Sequence, residues 1–157
     1  MKAILNSFRW AWRGFCRCLR TERNLRIHLT AAALAVWLSG HYDFSRQEYI
    51  LLWLTIGTVI SAELLNTAVE ELVDLSCPEV DPRAGRIKDA AAAAVLVLAA
   101  AAVLVGVSLF WQPAVLRQIL SEPRQLMVPF AIAVIGIWAV FGLPYQEKNN
   151  LNNEEQE

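Results

Sequence analysis

Charge is what this chain has least of. Asp, Glu, Lys and Arg make up 18% of its 157 residues, where soluble globular domains carry roughly 25%. Residues 90–111 contain no charged side chain at all. Hydrophobic residues reach 56%, above the roughly 45–50% of soluble domains, and the mean hydropathy is +0.37. A surface facing water throughout is excluded, and lipid is the expected solvent for much of it.

Cysteine and histidine are also scarce. Three cysteines (Cys16, Cys18, Cys77) and two histidines give no metal-site or thioredoxin spacing. A cysteine-built metal or redox centre is set aside, and the three are read as small, reduced, apolar side chains. No secretory signal is expected, because the first apolar run begins near Ile27 after an arginine-rich stretch. The net charge of −1 says little, since the charges are segregated, and no nucleic-acid partner is expected.

Residues 3–22 alternate apolar and basic positions. Phe8, Trp12, Phe15 and Leu19 recur at helical steps on one face, and Arg9, Arg13, Arg17 and Arg20 on another. Such a helix lies in a membrane interface. Four apolar runs follow, at about 27–40, 48–74, 88–111 and 128–143. The first is short for a hydrocarbon core of ~30 Å; it is expected to reach back through Arg26, with that arginine snorkelling to the interface. Residues 112–127 read as a loop with Pro113 and Pro123 as breakers, and 144–157 as a polar, disordered tail. The N-terminus and the 75–88 loop together carry ten basic residues, while the 41–47 and 112–127 loops carry one and two. The positive-inside bias then puts the N-terminus, the 75–88 loop and the C-terminus in the cytoplasm.

One span carries acids. On a helix at about 100° per residue, Asn66, Glu70 and Asp74 fall within about 60° of Glu63, and Glu71 lies at the edge of that stripe. An ionisable side chain at membrane depth is a candidate functional site. The outer acids suit a hard cation such as Mg²⁺, which takes oxygen ligands and needs only one or two carboxylates beside phosphates. Glu63, deeper, is placed to accept a proton from a hydroxyl. Gly85-Arg86-Ile87-Lys88-Asp89 brings cations to the same surface, and Glu22 adds a further acid. Phosphoryl transfer needs this combination, because its catalysis is mostly positioning and charge neutralisation. The same residues, taken alone, also fit a proton- or cation-coupled transporter relaying through Glu63, or helix-end charges that only anchor a span.

The order and spacing of these residues carry a resemblance. Glu63-x-x-Asn66-Thr67-Ala68-x-Glu70-x-x-x-Asp74, followed by Lys88-Asp89, resembles the signature of the small prokaryotic diacylglycerol kinase and undecaprenol kinase family. Phe8-x-x-Ala11-x-x-Gly14, Glu22-Arg23-Asn24-Leu25-Arg26-Ile27-His28 and Pro78-Glu79 agree with it, so the likeness covers residues 3–111. It implies an all-α integral membrane protein with an interfacial helix and three core spans. It also implies a homotrimer that moves the γ-phosphate of MgATP to a lipid hydroxyl, undecaprenol or diacylglycerol, at the cytoplasmic surface of a prokaryotic cell membrane.

Carried over by position, the resemblance makes Glu63 the catalytic base, with Asn66 near the reacting groups and Glu22 and Glu70 on the metal. Trp10, Asp74, Gly85, Arg86, Lys88 and Asp89 join Glu22 and Glu70 in the nucleotide site. Trp10 stands where diacylglycerol kinases of this family have a tyrosine. Pro78-Glu79-Val80-Asp81 lacks the usual aromatic and histidine. The fourth span has no counterpart in the three-span core. The Glu22–His28 stretch is more like the undecaprenol kinase branch.

Overall fold

The structure, a computed structural model, describes residues 2–77, 79 and 81–142. Among these there are six α-helices and no strand: α1 (Lys2–Thr21), α2 (Arg23–Ser39), α3 (Arg46–Ser76), α4 (Pro82–Phe110), α5 (Pro113–Ser121) and α6 (Pro123–Phe141). The tail expected to be disordered, 144–157, lies outside the described residues, as do Pro78 and Val80.

Local chemistry explains where the helices begin. Ser45 opens α3 with a capping box: its hydroxyl accepts from Glu48 N, and the Glu48 carboxylate accepts from Ser45 N at 2.7 Å. Asp81 caps α4 by accepting from Arg83 N at 2.7 Å, with Pro82 in the first turn. A single extended residue, Glu22 (φ −101°, ψ 114°), separates α1 from α2. It turns the chain from the interfacial helix into the bundle.

Among the described residues three helices are long and apolar enough to cross a membrane: α3, α4 and α6. At 31 and 29 residues, α3 and α4 rise about 45 Å, beyond a ~30 Å hydrocarbon core, so their ends reach past it. α2 has 17 residues and rises about 25 Å. On α1, Phe8, Trp10 and Trp12 are exposed, as an interfacial helix requires.

Packing runs mainly along α3 and α4, with α6 laid on α2, and α1 touching α2 and α3. At the end of the bundle away from the acids, the rings of Tyr42, Phe44 and Phe110 pack tilted or edge to face, with centroids 5.3–5.4 Å apart. The Tyr42 hydroxyl donates to Phe110 O at 2.8 Å. This cluster ties the α2–α3 loop to the end of α4.

Three expectations need correction. Residues 113–121 form α5 rather than loop, and α6 starts at Pro123 rather than 128. Proline at the first helical position loses no hydrogen bond, so Pro113 and Pro123 start helices instead of breaking them; Pro129 sits inside α6. Arg26 does not snorkel. It is 3% exposed, enclosed where α6 lies against α2.

Candidate active site

The acids gather where α3 approaches the junction of α1 and α2. Glu63 is 2% exposed, and Asn66 and Thr67 beside it are also buried. Asn66 Nδ2 donates to Glu70 Oε1 at 2.9 Å, one turn on. Thr67 donates back to Glu63 O at 3.1 Å, which spends its hydroxyl on the helix.

From the other side, the Asn24 side chain lies beside the Glu63 carboxylate, and the charges of Glu22 and Glu70 both fall within range of Glu63. Two carboxylates of α3 and one from the α1–α2 junction therefore share one locus. Glu63 Oε2 and Asn66 Oδ1 find no protein donor. A buried polar atom left this way costs about 1–3 kcal/mol, so such atoms in a native fold call for a reason such as a ligand or a catalytic role.

Lys88 and Asp74 form an ion pair that links the end of α3 to the start of α4. Both are partly exposed, so the pair adds at most about 1 kcal/mol to stability. Gly85, Arg86 and Asp89 line the solvent side of the first turns of α4. The fold thus unites Glu22, Glu63, Asn66 and Glu70, and joins Lys88 to Asp74. Trp10 stands apart: it is 64% exposed on α1, about 18 Å of helical rise before Glu22.

Two contacts had no signal in the sequence. Asn24 lies beside Glu63 just after the break in helical dihedrals at Glu22. Cys18 lies beside Thr67 and near Glu71, where α1 touches α3. Burial pushes the Cys18 thiol up from its ordinary range, and the charges of Glu71 and Glu22 push it further.

The donor set suits a hard cation. All the candidate ligand atoms are oxygens, and among the described residues no group of three or more His, Cys, Asp or Glu is placed to hold a metal ion by itself. Mg²⁺ needs no group of three, since it binds through one or two carboxylates and completes its shell with phosphate and water.

The sequence profile of the prokaryotic diacylglycerol kinase family matches residues 9–110. The chain belongs to that family. Undecaprenol kinase of Bacillus subtilis (strain 168) is 41% identical over 111 residues, covering 70% of this chain and 89% of the relative. Diacylglycerol kinase of Synechocystis sp. is 39% identical over 111 residues, 70% of this chain and 63% of the relative. Diacylglycerol kinase of Escherichia coli (strain K12) is 31% identical over 108 residues, 69% of this chain and 88% of the relative. Membership makes this an enzyme, a membrane lipid kinase, and leaves the transporter reading without support. The matched stretch contains every candidate site residue from Trp10 to Asp89 and stops before α5 and α6.

Proposed function

We propose that the protein transfers the γ-phosphate of ATP to the hydroxyl of a membrane lipid alcohol at the cytoplasmic face of a prokaryotic cell membrane. The single observation that carries this reading is the buried Glu63 carboxylate, with Oε2 lacking a protein donor, on the face that also bears Asn66 and Glu70. A carboxylate oxygen in that state is an acceptor for a proton-bearing group, and a lipid hydroxyl is what the membrane supplies there. Undecaprenol is the first choice of alcohol, on the Glu22–His28 stretch and the 41% identical relative; diacylglycerol stands beside it.

The lipid oxygen attacks the γ-phosphorus in line. The new O–P bond forms as the bond to the β,γ-bridging oxygen breaks, releasing ADP. The hydroxyl proton passes to Glu63 Oε2. Asn66 holds Glu70 in place. Lys88 has three N–H donors, so it can keep Asp74 and still donate to a phosphate oxygen. Arg86 adds a second cation, Gly85 lets the backbone come close, and Asp89 flanks Lys88. Mg²⁺ held by Glu22 and Glu70 would neutralise charge on the phosphates.

Trp10 offers a face for adenine. Its separation from the acids of its own chain supports a homotrimer in which neighbouring subunits share sites. The positive-inside bias supports a cytoplasmic active site.

The test uses protein purified in micelles, labelled MgATP, and either undecaprenol or a short diacylglycerol. Labelled lipid phosphate is expected, and the larger kcat/KM names the alcohol. Glu63→Gln should lower kcat by about 10²–10⁴ with nucleotide still bound. Transfer at the wild-type rate would remove Glu63 from the role of base. Cation flux without lipid phosphate would sink the kinase reading.

A further inference from the structure

α6 lies outside the stretch that matches the family, so the kinase reading gives it no task. It runs antiparallel to α2. The Arg23 guanidinium stands 5.7 Å from the centroid of the Phe141 ring at one end. At mid-length Gly136 packs so tightly on Thr30 that a Cβ there would lie 2.7 Å from Thr30 Oγ1.

Beside this crossing the two helices leave a groove of about 300 Å³. Arg26 and Thr30 line it, with hydrocarbon from Leu29, Ala33, Ile132 and Ile135. Thr30 spends its hydroxyl on Arg26 O at 2.8 Å. Arg26 is therefore the one charged group in the lining, and it is 3% exposed. Its Nε and Nη1 have no hydrogen-bond partner.

A guanidinium stays charged at any physiological pH. Enclosing one without a counter-charge is strongly unfavourable. The carboxylate one turn away, Glu22, belongs to the acidic locus around Glu63. Arg26 is about 200° round α2 from Asn24, which faces Glu63, so the groove is on the other side of the helix. What suits it is an anion with forked oxygens, because the guanidinium pairs bidentately with phosphate. From Arg26 to Ala33 the apolar strip runs about 10 Å along the axis, away from the acid end of the bundle. A phosphate joined to a hydrocarbon chain satisfies both halves.

We propose that the α2–α6 groove binds an anionic phospholipid of the surrounding leaflet, with its phosphate on Arg26 and the first part of one acyl chain between Ala33, Ile132 and Ile135. The C-terminal helix then builds, together with α2, a lipid site separate from the catalytic acids. The proposal does not depend on which alcohol is phosphorylated.

The test is native mass spectrometry of the full-length protein released from neutral maltoside micelles. The probes are dioleoylphosphatidylglycerol, dioleoylphosphatidylcholine and inorganic phosphate, each titrated separately. Wild type should retain phosphatidylglycerol at concentrations at least about tenfold below those needed for phosphatidylcholine, a difference of about 1.4 kcal/mol. Arg26→Gln should erase that preference. Ala33→Phe, which fills the apolar strip and leaves Arg26 in place, should erase it too, and decides the matter if the arginine variant does not fold. Equal retention of the two lipids by wild type would overturn the proposal. So would a folded variant that keeps the preference, or inorganic phosphate binding that is lost in Arg26→Gln and as tight as the lipid's.

Discussion

Asn66 holds Glu70 by a side-chain hydrogen bond of 2.9 Å, from Nδ2 to Oε1, across one turn of α3. The amide is buried and its other end, Oδ1, is unpartnered. Asn66 thus fixes a carboxylate proposed to hold the metal. Asn66→Ala should release Glu70, lower kcat by about 100-fold, and raise the Mg²⁺ concentration needed for half-maximal rate. Initial rates across a Mg²⁺ titration check this. An unchanged Mg²⁺ dependence would show that Glu70 needs no such support.

The pair of Lys88 and Asp74 separates function from stability. Because both groups are partly exposed, breaking the pair should shift stability by less than about 1 kcal/mol. Lys88→Met should nevertheless raise the KM for ATP and depress kcat, while Asp74→Asn, which leaves the cation in place, should do less. Thermal midpoints measured beside the kinetics distinguish the two effects. A large drop in midpoint with normal KM would assign the pair to folding.

Gly136 tests the seating of α6. Its missing side chain is where Thr30 sits, so Gly136→Val should force the helices apart and cost about 1–3 kcal/mol. Gly57, also helical, has nothing within 4 Å of an added Cβ. Gly57→Ala should therefore be neutral, or stabilising by up to about 1 kcal/mol on helix propensity. Unfolding midpoints in micelles compare the two.

Alkylation rates report the packing of α1. Cys77 is exposed and should react first with iodoacetamide. The Cys18 thiol is raised by burial and then by Glu71 and Glu22, so at a given pH less of it is the reactive thiolate. Its labelling should become appreciable only above the ordinary thiol range near 8.5. Mass spectrometry of the peptides follows both sites. Equal rates at pH 8 would mean that α1 is not docked on Thr67.

The stripe of Glu63, Asn66 and Glu70 was legible because a helix puts residues three, four and seven apart on one face whatever surrounds it. The reach of Asn24 to Glu63 was not. It depends on one extended residue, Glu22, and a single break in helical dihedrals rotates every later side chain. The helical character of 113–121 and the early start of α6 were hidden for a different reason. Proline at the first helical position and proline in a loop look alike in one dimension. Arg26 was misread because snorkelling assumes open lipid beside the helix, and α6 occupies that space.

The amino-acid order by itself determined that this chain lives in lipid, that its polar chemistry sits on one face of one long helix, and which family it resembles. Those properties follow from composition and from the fixed 3.6-residue repeat, which need no knowledge of neighbours. Tertiary structure alone decided that Glu22 meets the acids of α3, that Lys88 closes on Asp74, and that α6 buries Arg26 against α2. These are contacts between residues distant along the chain or turned by a local break, and the relative placement of packed helices is set by side-chain fit rather than by any periodicity a sequence displays.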